Sequence, residues 1–147
     1  MRRVRANVVN TTSKRRMPTR RMAQLASLIV SGERRSGSVN IVLIGDTRMR
    51  TLNRKYRGQD RTTDVLSFHF DDDDGDQPPP LIGEIYISVP QAEKHARSMG
   101  HDLPDEILFL TAHGLLHILG YTHESMKKFE RMVDKQLHYL NKLYRKP

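Results

Sequence analysis

The segment from Ile107 to Leu119 constrains the fold most strongly, because it is apolar on almost every side. Its apolar members are Ile107, Leu108, Phe109, Leu110, Ala112, Leu115, Leu116, Ile118 and Leu119. A helix at a protein surface keeps one polar face toward water, whereas a helix that is apolar all round is buried inside its domain. The sequence therefore predicts a central helix that other elements must surround.

Three histidines lie in or directly after this segment, at H-x3-H-x5-H spacing. His113 and His117 are four residues apart, so their rings share one face of the predicted helix. Gly120 follows, and glycine most readily takes the left-handed backbone that ends a helix. The chain can turn there and bring His123 back toward the other two rings.

A shared metal ion explains these histidines best. Burying an imidazole without a partner costs roughly 1–3 kcal/mol, and a metal satisfies several imidazoles at once. Three histidines leave zinc an open fourth position, as in catalytic sites. The sequence predicts one Zn²⁺ per chain on His113, His117 and His123. The alternative is two hydrogen-bonded core histidines and a solvated third. The chain has no cysteine, which excludes thiolate zinc sites and disulfides.

The remaining patterns predict strands and amphipathic helices around the central helix. Strands are expected near 6–9, 39–44, 65–70 and 84–88, and helices near 18–32, 46–58, 90–99 and from 124 onward. Residues 71–80, rich in Asp and Pro, are expected to form an exposed loop. The fold class is α+β: a single domain over residues 1–147, with a mixed, roughly four-stranded sheet, a buried histidine-bearing helix and several flanking helices.

Positive charge is concentrated in the first part of the chain. Residues 1–61 contain 16 Lys and Arg against 3 Asp and Glu, whereas residues 62–147 contain 9 against 14. Any single cluster of basic residues can be an ordinary solvated surface. The concentration of all these clusters in one part of the chain favours a polyanionic partner such as RNA. Arg20 and Arg21 fall in the first turn of a predicted helix, where the helix dipole disfavours cations, so stability does not explain them.

No apolar run is long enough to span a membrane, and the N-terminus lacks the apolar core of a signal peptide. The expectation is a soluble, cytoplasmic protein with no membrane partner.

The zinc peptidase motif H-E-x-x-H shares the spacing of His113 and His117, but here Gly114 stands where that motif has its general base. A peptidase mechanism therefore lacks its proton acceptor. Zinc can still activate water, and such a nucleophile attacks phosphorus as well as carbonyl carbon. Beside a basic half, phosphodiester chemistry on a nucleic acid is the better match.

Three segments together resemble the YbeY family of bacterial endoribonucleases. They are H-G-x-L-H-x-x-G-Y-x-H from 113 to 123, L-N-x-x-Y-R-x-x-D-x-x-T-D-V-L-S-F from 52 to 68, and Gly83–Ser88. The resemblance implies a single-strand-specific, metal-dependent RNase that matures the 3′ end of small-subunit ribosomal RNA and acts in ribosome quality control. It implies zinc on the three histidines, and places the family's functionally important arginine at Arg57.

The chain departs from this family's pattern at two positions. Thr122 stands where the family usually has Asp, so a carboxylate is missing beside the site. If that carboxylate orients a metal ligand in the family, metal affinity or cleavage rate is lower here. His69 stands where the family usually has Pro. It is interpreted as a strand-end substitution, with a fourth metal ligand as the alternative.

Residue chemistry also gives Arg57 a role. It lies at the end of a short predicted helix, where a cation complements the dipole, but its guanidinium can also stabilise charge on a reacting phosphate. Tyr56 is expected in the core, with a base-stacking platform as the alternative. Glu84 is expected at a sheet edge, paired with an arginine, with the outer shell of the metal as the alternative. His95, His101 and His138 are expected to be ordinary exposed residues.

Three functions remain open at this point. The leading one is a zinc-dependent endoribonuclease whose partners are single-stranded ribosomal RNA, the small ribosomal subunit and ribosome-assembly proteins. Its nucleophile is either water or the RNA 2′-hydroxyl. The second is a ribosome-associated RNA-binding or assembly factor with a structural zinc. The third is a zinc hydrolase of small amides or esters.

Overall fold

The computed structural model describes residues 3–70 and 80–145. In chain order, the elements of this part are β1 (Val4–Asn10), α1 (Thr19–Gly32), β2 (Gly37–Ile44), α2 (Asp46–Arg57), β3 (Val65–His69), β4 (Leu81–Ser88), α3 (Val89–Met99), α4 (Leu103–Ile118) and α5 (Met126–Arg145). The predicted strands and helices are confirmed within a few residues. The exposed loop predicted for 71–80 lies, except for Pro80, outside the described residues.

The four strands form one mixed sheet in the order β1-β2-β4-β3. β1, β2 and β4 run parallel, and β3 pairs antiparallel with β4 at the edge. The two inner strands are mostly buried, as expected for strands with neighbours on both sides, whereas β1 alternates half-buried and exposed residues. The α+β fold with a four-stranded mixed sheet is therefore confirmed.

Helix α4 is the centre of the core, as its all-round apolarity predicts. It packs against α1, α3 and α5 and against strands β3 and β4. Ten of its residues are buried, and the large apolar cluster of the protein includes seven of them together with side chains of α1 and the sheet. Such a helix has nowhere to turn a polar face, so a histidine on it must find a partner inside the protein.

The opposite face of the sheet is covered by α2. Strand side chains alternate between faces, so Ile41 and Leu43 join the main core while Ile44 joins a smaller cluster with Met49 and Leu66. Gly45 occupies the N-cap position of α2, and Asp46 is the first residue of the helix. The Asp46 carboxylate accepts hydrogen bonds from three other polar side chains, those of Thr62, Ser88 and Gln91.

His95 and His101 are exposed, as expected, but both contact a buried carboxylate that the sequence did not indicate. His95 Nδ1 lies 2.7 Å and His101 Nε2 lies 2.6 Å from the two carboxylate oxygens of Glu106, a residue only 1% exposed. A carboxylate only accepts, so each imidazole donates an N–H to it. The end of α3 and the following turn lie against the first turn of α4, and sequence spacing does not reveal that contact. His138 is exposed, as predicted.

None of the helices in the described ranges combines the length and apolarity needed to cross a bilayer.

Candidate metal centre

The first two histidines face each other one turn apart on α4. His113 Nε2 and His117 Nε2 are 3.0 Å apart, and their ring centroids are 4.5 Å apart. Both side chains are half-buried. The helical spacing therefore directs two ring nitrogens to one point, as the sequence predicts.

A tight turn after α4 brings the third histidine to the same point. Gly120 has a φ of +103°, a backbone conformation that residues other than glycine rarely adopt. The ring of His123 then lies 5.3 Å from that of His117 and 6.3 Å from that of His113. One ligand atom from each of the three histidines lies within 4.8 Å of the other two.

The donor set suits a transition metal. With nitrogen–zinc bonds of about 2.0–2.1 Å and tetrahedral angles, two ligand nitrogens lie about 3.3 Å apart. The observed 3.0 Å between the Nε2 atoms of His113 and His117 is close to that value. His113 and His117 are therefore spaced for a shared metal, and His123 has a ligand atom within 4.8 Å of both. Imidazole nitrogen is a ligand that zinc, copper, iron and nickel all accept.

The surroundings of His113 and His117 keep these two histidines neutral. Burial lowers the pKa of His113 to about 4, and the neighbouring His117 and His123 add to the effect. Burial also lowers the pKa of His117, helped by His123 and by the positive charge of Arg57. At neutral pH the nitrogen lone pairs are therefore not taken up by protons, which is the state that a metal requires.

Helix α5 contributes a residue that sequence reasoning missed. Gln136 is 3% exposed, and its Nε2 lies 3.4 Å from His113 Nδ1. Amide oxygen and nitrogen are exchangeable by a flip, so with the oxygen inward Gln136 accepts the Nδ1 proton and leaves Nε2 for a metal. The available signal was its position: Gln136 replaces an apolar residue in the stripe of Met132, Tyr139 and Leu143.

Gly114 is required by packing. A Cβ on Gly114 would lie 3.0 Å from Ile85 Cγ2 and 3.1 Å from Ser67 Oγ, so α4 rests directly on strands β4 and β3 there. A glutamate at this position, as in the zinc peptidase motif, would point into the sheet. The structure thus gives a steric reason for the absence of the peptidase base.

The histidines lie in a cleft of about 1080 Å³ that also contains Arg57. Arg57 Nη2 donates to the Ser67 carbonyl oxygen at 2.8 Å, and its guanidinium carbon lies 5.6 Å from the centre of the Phe68 ring. These contacts hold the guanidinium at the cleft wall. The positive charge of Arg57 is close enough to His117 to help lower the pKa of that histidine. Arg57 and the histidines therefore line one cavity.

The two departures from the family pattern both lie near the histidines. His69 ends β3, lines the cleft and places Nδ1 3.0 Å from the Ile118 carbonyl oxygen, so that nitrogen donates to the end of α4. Among the described residues, the group whose ligand atoms converge does not include His69. Thr122 Oγ1 is buried and has no hydrogen-bond partner in the described part of the chain.

Two expectations about neighbouring residues are wrong. Tyr56 is 55% exposed, because the last turn of α2 lies at the cleft and not over the core. Glu84 is on the inner strand β4, not at a sheet edge. Its carboxylate accepts from Asn40 Nδ2 at 3.0 Å and from the Tyr86 hydroxyl at 3.2 Å, in place of the expected arginine.

A carboxylate that the sequence did not indicate anchors the turn that leads to His123. Glu33, directly after α1, accepts hydrogen bonds from Tyr121 at 2.6 Å, from Lys135 at 3.1 Å and from Tyr139. Burial opposes ionisation of Glu33, but these hydrogen bonds outweigh it and lower its pKa. Tyr121 is two residues before His123, so Glu33 anchors the turn that leads to the third histidine.

Comparisons with known proteins agree with this architecture. The family model described as Endoribonuclease YbeY matches residues 7–144. A protein named Endoribonuclease YbeY from Bacillus licheniformis is 34% identical over 139 residues, covering 86% of this chain and 88% of that protein. Another of the same name, from Carboxydothermus hydrogenoformans, is 38% identical over 122 residues and 83% of each chain.

A solved structure has the same fold. The solution structure of TM1509 from Thermotoga maritima superposes with a TM-score of 0.66 at 28% identity, covering 95% of this chain and 89% of that one. The family match includes the second half of β1, the other three strands, α4 and the three histidines. The chain is a member of the YbeY endoribonuclease family.

Proposed function

We propose that this protein is a zinc-dependent endoribonuclease that cuts single-stranded regions of ribosomal RNA, including the 3′ end of the small-subunit RNA, and acts in ribosome quality control. One observation carries the proposal: three imidazoles converge in the same open cleft as the guanidinium of Arg57. The family to which the chain belongs supports it, since its relatives are named endoribonucleases.

His113, His117 and His123 would hold one Zn²⁺. Bound there, the ion supplies Lewis acidity toward a phosphate oxygen or toward water. The protein's part is to keep His113 and His117 neutral and to orient the three rings. Burial does the first, and Gln136 and the Glu33–Tyr121 hydrogen bond contribute to the second.

Arg57 would stabilise the reacting phosphate. Only one of its guanidinium nitrogens is committed to the Ser67 carbonyl, and the planar group presents several further N–H donors. A fixed cation beside the scissile bond stabilises the charge that develops on phosphate oxygens in the transition state. We therefore assign Arg57 the catalytic role and the histidines the metal-binding role.

The substrate implies the partners and the location. A ribosomal RNA nuclease works on the small ribosomal subunit, beside ribosome-assembly proteins, in the cytoplasm. A purely structural zinc, as in an RNA-binding assembly factor, is less consistent with three histidines that open onto a large cleft, because structural zinc sites are closed by four protein ligands. Gly114 packed on the sheet disfavours the hydrolase of small amides or esters.

The direct test is cleavage of RNA by the purified protein. We expect an unstructured RNA to be cut internally, the same sequence to be resistant in a duplex, and chelation to abolish cleavage until zinc is restored. Analysis of the product ends identifies the nucleophile, since a 2′,3′-cyclic phosphate requires attack by the RNA 2′-hydroxyl. An RNA that the metal-replete protein binds but does not cut would favour the assembly factor.

The position of the basic residues predicts which of them bind RNA. Arg61 lines the cleft and Lys55 adjoins it, whereas Arg16 and Arg20 do not line it. We expect Lys55→Glu/Arg61→Glu to weaken binding of single-stranded RNA and to reduce the salt slope by about 1.4, since each phosphate contact on a single strand contributes about 0.7.

The matched control is Arg16→Glu/Arg20→Glu, which changes the net charge equally. Fluorescence anisotropy from low to moderate salt measures both affinities. Equal losses in the two double variants would mean that overall charge, and not the cleft, attracts the RNA.

A further inference from the structure

The packing of the protein core does not explain why the ring of Tyr56 is exposed. Helical spacing from Met49 and Leu52 would turn this residue inward, yet it is 55% exposed and lines the cleft that holds the three histidines. A tyrosine presents a large, rigid contact surface with only two side-chain torsions to order, so it contributes binding energy at low entropic cost. Its location makes it available to a substrate that reaches the metal centre.

A row of aromatic rings fixes the orientation of Tyr56. The ring packs edge-on against Phe68, with centroids 5.4 Å apart at 72°, and Phe68 packs in the same way against Tyr86 at 5.9 Å. The Tyr86 hydroxyl is in turn held by Glu84. The row crosses from α2 to β3 and β4 and holds the Tyr56 ring in place, while 55% of the residue stays exposed to a ligand in the cleft.

Cations flank this aromatic surface. Lys55 Nζ lies 5.2 Å from the centre of the Tyr56 ring, and Lys55 is an exposed, flexible side chain. Arg57 is the next residue along the chain, and Arg61 lines the same cleft. An aromatic ring among cations is how proteins bind single-stranded nucleic acids, with a base on the ring and phosphates on the cations.

We propose that Tyr56 is a stacking platform for one unpaired nucleobase of the RNA, within one or two nucleotides of the phosphate that Arg57 contacts. This inference rests on the proposed function. A base in a duplex already stacks on its neighbours and cannot offer a face to Tyr56 without being unpaired. The platform therefore also provides a physical basis for selecting single strands, and it tolerates any base, because every base has a π face.

The test combines changes in the protein and in the RNA. A series of single-stranded oligonucleotides, each with one abasic nucleotide at a different position, is cleaved by the metal-replete protein, and kcat/KM is measured. At one position close to the cut we expect a loss of about 5- to 150-fold, the range that stacking of one base gives. Tyr56→Leu should lose a similar factor on intact RNA and show no further loss at that abasic position.

Tyr56→Phe keeps the aromatic ring and should show the same loss of kcat/KM at that abasic position as the wild type. Tyr56→Gln lacks the ring and should behave like Tyr56→Leu. Phe129→Leu is the matched control, because Phe129 is an equally exposed aromatic residue, 48%, that does not line the cleft. Thermal unfolding of each variant confirms that it is folded. An abasic loss at the same position and of the same size in Tyr56→Leu would overturn the proposal.

The same oligonucleotides measured by fluorescence anisotropy separate this inference from the proposed function. If the wild-type protein cuts no RNA but shows the position-specific loss in affinity, the nuclease assignment fails and the stacking platform stands. If it cuts RNA with no position-specific coupling to Tyr56, the nuclease assignment stands and the platform is wrong.

Discussion

Replacing His117 with alanine is expected to remove the metal and, with it, RNA cleavage. Two histidines remain, and His117 is the one that His113 faces most closely. A loss of several kcal/mol of Lewis-acid stabilisation corresponds to on the order of 10³-fold in rate or more. Elemental analysis of the purified protein should find substoichiometric metal, and single-turnover cleavage should fall in parallel.

The control for this variant is His138→Ala, which removes an exposed histidine of α5 outside the converging group. It should keep full metal content and activity. Gln136→Leu should lie between the two, because groups that hydrogen-bond a ligand histidine commonly contribute 10- to 100-fold in metal affinity. Full metal occupancy in the double variant His113→Ala/His117→Ala would show that the metal binds elsewhere.

Arg57→Lys is expected to keep the metal and the fold and to lose catalysis. Lysine retains the positive charge but not the planar group that can donate to Ser67 and to a phosphate together. Removal of one donor that stabilises transition-state charge typically costs on the order of 10²–10³ in rate. Single-turnover cleavage of a saturating single-stranded RNA by metal-replete protein is the measurement, and Arg57→Ala should fall at least as far.

Arg54→Lys is the matched control, since Arg54 is on the same helix, is exposed and pairs with Asp60 at 3.6 Å, away from the lining of the cleft. Its cleavage rate should stay near that of the wild type. If both Arg57 variants cleave at the wild-type rate, Arg57 only complements the dipole at the end of its helix, and another residue must contact the phosphate.

Much of the fold follows from local patterns. A segment that is apolar all round has to be buried whatever surrounds it, so α4 was identifiable as the central helix. His113 and His117 were identifiable as a pair because the helix itself sets their separation. Gly120 made the return of His123 predictable, because the left-handed turn that it adopts depends on the residue type.

The errors and omissions fall where the packing of separate elements against each other decides the outcome. Tyr56 fits the inward face of α2 by periodicity, but periodicity does not say where the helix extends past the core. Glu84 looked like an edge residue because strand order cannot be read from a sequence, and only the pairing of β4 between β2 and β3 puts it inside. His95 and His101 had no meaningful spacing until α4 placed Glu106 between them.

The sequence by itself therefore determined the buried helix, the three metal-binding candidates and the family, because each is written in residue types at short, fixed spacing. Only the tertiary structure decided what supports and surrounds them. Gln136 reaches His113 across 23 positions of sequence, and Glu33 reaches Tyr121 across 88. Such contacts depend on how whole helices pack against each other, and no local spacing encodes that.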